Sequence, residues 1–168
     1  MTVATKSPPD PAAEADAPLS GNLSWLLGQA NHALATEMTA RMEGIGVYPR
    51  GYCVLMAALY GGLTQTEIAQ QIGVDKTTMV VTVDELEKSG LAARVPSKTD
   101  RRARVIEVTA KGAEKVSEAK TIVHELQQEV LGTLPAGERK ALMSALNHLV
   151  GDRLSSPSQC ERSVRRRD

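Results

Sequence analysis

The chain has 168 residues, which suits one domain with tails and a hydrophobic core of useful size. Its composition, 42% hydrophobic and 24% charged, is that of an ordinary soluble globular protein, and no apolar run reaches membrane-spanning length. Formal net charge is zero and the only aromatics are Trp25, Tyr48, Tyr52 and Tyr60, so the core has to be aliphatic and stacking platforms for single-stranded nucleic acid are excluded.

Residues 1–18 carry Pro8, Pro9, Pro11 and Pro18 among Ala and acidic residues, which reads as a disordered tail. Leu23, Leu27, Ala30, Leu34 and Met38 then recur at helical spacing and predict a long helix over about residues 20–43, closed by Gly44 and Gly46. Pro49 opens a second helix at the position where its missing N–H costs nothing, with Tyr52, Leu55, Met56 and Leu59 as its buried stripe and Gly61-Gly62 at its end. Thr64-Gln65-Thr66-Glu67 is a capping box. The short helix it starts runs through Ile68, Ala69 and Ile72 to Gly73. After Val74, Asp75 caps a longer helix that turns Met79, Val83 and Leu86 inward and ends at Ser89-Gly90.

The period then changes. Residues ~91–96 and ~104–108 read as two short strands with Ile106 and Val108 on one face, joined by a tip from Pro96 to Arg102. Thr109 caps a helix with the stripe Val116, Ala119, Ile122, Val123, Leu126 and Val130, broken by Gly132 and Pro135. A last helix carries Leu142, Leu146 and Leu149, and residues 155–168 read as a loose basic tail ending in Arg165-Arg166-Arg167. The result is a mainly α fold of six helices with a small β-hairpin. It divides into a lobe at 48–112 and a helical part made of 19–47 plus 113–154, within one domain at 19–154.

Two short helices joined by a tight glycine turn form a helix-turn-helix, and a strand hairpin after them makes a wing. Small Ala69 lets the helices cross closely, Gly73 supplies the turn, and Met79 plugs the angle between them. With Met79, Val83 and Leu86 inward, the second helix presents Lys76, Thr77, Thr78, Val80 and Val81, where a recognition helix contacts base edges and phosphates. Lys76, Thr77 and Thr78 have hydrogen bonds to offer; Val80 and Val81 have none and suit thymine methyls. Gln65 and Thr66, at the start of the first helix, join the candidate DNA contacts. From Arg94 to Arg104 there are five bases against one acid, Asp100, which makes this stretch a local basic patch. Lys98, Arg101, Arg102 and Arg104 are the candidates to reach a minor groove, while Asp100 accepts a hydrogen bond from Arg102 and fixes the turn. Plain solvated charge is the competing reading of the same surface.

Four stretches together resemble the MarR family of multiple antibiotic resistance regulators. They are Asp75-Lys76-Thr77-Thr78, Asp84-Glu85-Leu86-Glu87-Lys88-Ser89-Gly90-Leu91, Thr99-Asp100-Arg101-Arg102-Ala103 and Val108-Thr109-Ala110-Lys111-Gly112. The likeness covers roughly residues 20–150, and the Asp-x-Arg wing turn leading into Thr-x-x-Gly is its most specific part. It implies a homodimer joined by the first and last helices, with recognition helices in two major grooves and wings in the flanking minor grooves. Many members repress a neighbouring gene and leave DNA when a small, often phenolic, ligand binds between the lobes. Val80-Val81 depart from the polar or basic residue the family pattern leads one to expect.

The apolar stripes of the first and last helices support the dimer independently, because exposed stripes of that size mark interfaces. The resemblance places an effector pocket among the first, second and fifth helices, where Trp25, His32, Tyr52 and Met56 are the candidate lining for a small phenolic or anionic molecule. The alternative makes Trp25 and Tyr52 core. Cys53 and Cys160 form no disulfide framework, and Cys53 in an apolar helix reads as packing rather than a redox sensor. His124 and His148 have no metal-ligand partners at short spacing, and neither a metal nor a cofactor is expected. No nucleophile–base, paired-carboxylate or phosphate-loop arrangement points to an enzyme. The expectation is therefore a cytoplasmic, dimeric, DNA-binding repressor of an inverted-repeat operator, released by an effector. A winged helix used only for protein–protein contact is the competing class, favoured by outward-facing Val80-Val81.

Overall fold

The computed structural model describes residues 19–100 and 102–156. The expected N-terminal tail, the C-terminal tail after Ser156, Cys160 and Arg101 lie outside the described residues. Six helices and one hairpin follow in the expected order: α1 Leu23–Met42, α2 Pro49–Ala58, α3 Gln65–Ile72, α4 Lys76–Lys88, β1 Ala92–Pro96, β2 Arg104–Val108, α5 Ala110–Gly132 and α6 Ala136–Gly151. A 3₁₀ turn at Glu43–Ile45 follows α1 and ends at Gly46. The chain forms two compact units that meet within α5, one up to Val123 and the other from His124.

The first unit is organised by a core in which Val54, Leu55 and Ala58 of α2 meet Ile68 and Ala69 of α3 and Met79, Val83 and Leu86 of α4. Leu91, Ala92 and Ile106 from the hairpin and Val116 from α5 complete it. Met79 is 0% exposed and sits as the expected plug between α3 and α4. On α2 the buried set is Gly51, Val54, Leu55 and Ala58. Of the stripe expected there, only Leu55 is fully buried; Tyr52, Met56 and Leu59 pack along its edge. The reason is close approach. A Cβ at Gly51 would lie 3.3 Å from Leu86 Cδ2, so α2 turns this glycine toward α4.

The hairpin pairs antiparallel from Ala92↔Val108 to Pro96↔Arg104. A third, very short strand completes it: Thr64 bridges Val105, and the Ile106 N–H donates to the Leu63 carbonyl at 3.0 Å. That pairing ties the wing to the loop ahead of α3. At the other end of the hairpin, the Thr109 N–H donates to the Leu91 carbonyl, its hydroxyl donates to the Gly90 carbonyl, and the same oxygen accepts from the Gly112 N–H at 3.0 Å. Gly112 is there because nothing larger fits: a Cβ would stand 2.0 Å from the Leu91 carbonyl oxygen.

α1 begins at Asn22, whose side chain accepts from the Trp25 N–H. Of its apolar residues only Met42 is fully buried; Leu27, Leu34 and Met38 are half-buried, and Leu23, Trp25 and Leu26 are exposed. In the second unit α6 has no buried residue and Leu142 and Val150 are exposed. Val130, expected within the α5 stripe, lies exposed. No helix of the described residues is long and apolar enough to cross a membrane.

Candidate nucleic-acid interface

Local chemistry sets the helix pair. The Thr64 hydroxyl accepts from the Glu67 N–H, and the Glu67 carboxylate takes the Thr64 N–H at 2.7 Å. The Thr64 N–H and then its hydroxyl, both donating to the Glu67 carboxylate, lower the Glu67 pKa. Gly73 then turns the chain at φ 71°, a left-handed conformation that favours glycine. Asp75 caps α4 by accepting from both the hydroxyl and the N–H of Thr78, and these bonds hold its carboxyl below the usual range. Gln65, Thr66 and Lys76 rim a hollow between α3 and α4, so these three candidates share one opening.

α4 buries Met79, Thr82, Val83 and Leu86, which leaves Lys76, Thr77, Val80, Val81, Asp84, Glu85 and Lys88 along its exposed strip. Charge along that strip changes sign. Lys76 and the positive end of the helix lie at the start, while Asp84 and Glu85 lie two turns further on. A phosphate is therefore favoured at the N-terminal half. Thr78, expected as a base or phosphate contact, already spends its hydroxyl proton on Asp75 at 2.6 Å.

At the wing tip, the Asp100 carboxylate accepts from the Arg102 N–H at 2.9 Å, as its expected role in the turn requires, with the backbone rather than the guanidinium as donor. Ser97 receives the Thr99 and Asp100 N–H groups, and the Ala103 N–H donates to the Asp100 carbonyl. This network uses the acid internally and leaves Lys98, Arg102 and Arg104 exposed.

Arg94 behaves differently from the rest of the basic patch. Its guanidinium meets Glu87 and, at 2.7 Å, Asp84, and donates to the Val80 carbonyl and at 3.1 Å to Gln65 Oε1. Its own N–H also donates to Glu87. It is thus withdrawn from the phosphate-facing charge in which the sequence counts it. Instead it rivets β1 to α4 and α3, offsetting one of the two carboxylate charges it bridges. Engaging the Gln65 oxygen also leaves that amide's N–H₂ to donate.

A profile of the MarR family matches residues 46–103, the stretch that holds the helix pair and most of the wing. The fold matches CouR from Rhodococcus jostii RHA1 bound to p-coumaroyl-CoA, with a TM-score of 0.70 and 25% identity over 85% of this chain and 98% of that one. CouR bound to a 23-mer DNA duplex gives a TM-score of 0.70 and 29% identity over 79% of this chain and 94% of that one. Residues 46–103 thus match the MarR family, and the fold is that of MarR-family winged-helix structures. The S. aureus MepR–DNA complex, at 22% identity, TM-score 0.69 and coverage of 77% and 97%, supports the fold alone. MarR-family proteins are transcriptional regulators rather than enzymes.

The MarR fold gives the candidate effector residues less than it gives the DNA-facing ones. Trp25 and His32 stand exposed on α1, while Tyr52 and Met56 pack beside the core. A cavity of about 560 Å³ is lined elsewhere, by Gly46–Tyr48, Arg50 and Gly51 with Thr82 to Leu91 residues of α4 and its end. Cys53 has exposed surface, yet desolvation of its sulfur raises the thiol pKa, which disfavours the reactive thiolate. Tyr52 is raised too, by desolvation and then by Cys53. Among the described residues no group of three or more His, Cys, Asp or Glu side chains is placed to hold a metal ion.

Proposed function

We propose that this protein is a cytoplasmic homodimeric repressor that binds an inverted-repeat operator and is released by a small effector. The observation that carries the DNA-binding part is the Arg94 rivet: it joins a wing bearing Lys98, Arg102 and Arg104 to a helix bearing Lys76 while pairing with two of that helix's acids. Lys76, Thr77, Gln65 and Thr66 then serve the major groove. Lys98, Arg101, Arg102 and Arg104 serve the flanking minor groove and its phosphates. CouR is known in DNA-bound form, which supports the same partner here.

Exposed Leu23, Trp25 and Leu26 on α1 and Leu142 and Val150 on α6 support a dimer through the first and last helices, since burying them recovers apolar area. The winged helix at 48–112 is then the DNA-binding lobe. Residues 19–47 and 113–154 supply the dimer helices. A two-fold dimer requires half-site centres ~10 bp apart or a multiple of that. The p-coumaroyl-CoA complex of CouR supports a phenolic or anionic effector, for which Trp25, His32, Tyr52 and Met56 are the candidate contacts.

Footprinting on the DNA flanking its own gene tests this reading. The expected result is protection of an inverted repeat by a dimer, relieved by a phenolic acid or its thioester. A monomer in solution, or a footprint without two-fold symmetry, contradicts it. Absence of any salt-dependent binding, even to non-specific duplex, favours a protein partner for the exposed Val80-Val81 surface instead.

A further inference from the structure

We infer that the centre of the recognition surface reads the C5-methyl groups of pyrimidines, through Val80 and Val81, so that operator choice depends on thymine methyls and tolerates 5-methylcytosine. The inference rests on the DNA-binding reading above. It starts from what is exposed: Val80 is 37% and Val81 51% accessible, side by side on the strip that begins at Lys76. A folding role does not require this exposure, because the inward face of α4 is already filled by Met79, Thr82, Val83 and Leu86.

The polar groups around the two valines are largely committed to the protein itself. The Thr78 hydroxyl donates to Asp75, the Thr82 hydroxyl donates to the Thr78 carbonyl, and Gln65 Oε1 accepts from Arg94. Base-edge hydrogen bonding at the middle of the helix is therefore depleted. Two branched apolar side chains remain there. Arg94 also holds the Val80 carbonyl, which fixes the backbone carrying them relative to the wing.

In the major groove the group that suits such a surface is the C5-methyl of thymine, and 5-methylcytosine carries the same methyl at the same carbon. Lys76 on the same strip and Lys98, Arg102 and Arg104 on the wing favour a polyanion over a protein as the partner that covers this patch, the nearby Asp84 being paired with Arg94. A methyl contact of this kind distinguishes thymine from deoxyuracil, which differ by that one group.

The test uses the full chain and a duplex selected by it from a random pool. Replacing thymine by deoxyuracil one half-site position at a time should reveal a position where affinity falls about fourfold per methyl, and about 15-fold when both half-sites change. Cytosine at that position should bind about fourfold weaker than 5-methylcytosine. In the Val80→Ala/Val81→Ala variant both ratios should fall toward one while salt-dependent binding persists. Equal affinity for thymine and deoxyuracil duplexes at every position overturns the inference but leaves the DNA-binding function standing. Ratios unchanged in the double variant also overturn it, because the methyls are then sensed elsewhere. Failure of the wild-type chain to bind any duplex overturns the function itself.

Discussion

Replacing Arg94 by alanine should destabilise the winged helix by an amount its surroundings allow one to bound. The Arg94 side chain is 25% exposed and Glu87 33%, whereas Asp84 is 60% exposed. Removing one partner of a buried pair costs about 3–5 kcal/mol, because the surviving charge keeps its desolvation penalty. Exposed pairs contribute only about 0.2–1 kcal/mol. Glu87 lies between these regimes and Asp84 in the second, so the loss expected for Arg94→Ala is about 2–3 kcal/mol. Urea denaturation at fixed protomer concentration measures it, and the corresponding fall in Tm is about 5–10 °C. Asp84→Ala alone should cost under about 1 kcal/mol. An Arg94→Ala variant within about 0.5 kcal/mol of wild type, the usual range for plain surface substitutions, would refute the rivet.

Three further outcomes follow from the packing and the titrating groups. Gly112→Ala places a methyl 2.0 Å from a backbone oxygen, and the resulting shift should cost about 3 kcal/mol or more, measured by chemical denaturation. Gly51→Ala meets only the Leu86 side chain at 3.3 Å and should be far milder; equal costs would contradict the close-approach account. Because folding lowers the pKa of Asp75 and Glu67, their contribution is present above the ordinary carboxylate range and is lost as pH falls through their folded values. Asp75→Asn keeps an N-cap but removes that titration, so its melting temperature should decline less on acidification; superimposable pH profiles would argue against it. Cys53, with its raised pKa, should alkylate more slowly at neutral pH than a free thiol, and mild peroxide should leave DNA binding intact.

What was legible in the sequence was the chemistry that acts over three or four residues. Thr64 with Glu67, Asp75 with Thr78, and Gly73 between them define the helix pair through local bonds, and each is where its residue type predicts. Asp100 likewise bonds only two residues along the chain. Arg94 shows the limit. Its partners lie 7 and 29 residues away, so charge counting places it with the phosphate-facing bases although the fold spends it internally. The third strand of the wing is a single bridge between Thr64 and Val105, too short to leave a period. On α2, two sets of residues share helical spacing, and size complementarity with α4 decides which set is buried. The apolar residues of α1 and α6 are legible as stripes, and several of them stand exposed.

The central claim is that wing and recognition helix engage DNA together, and the salt dependence of binding with and without the wing-tip cation measures it most directly. For the selected duplex, plotting log K against log salt for wild type and Arg102→Ala should show weaker binding by the variant. Its slope should be shallower by about 2 per dimer, because each wing then neutralises one phosphate fewer. Unchanged affinity and unchanged slope would contradict the account, because the wing would then have no part in holding the nucleic acid.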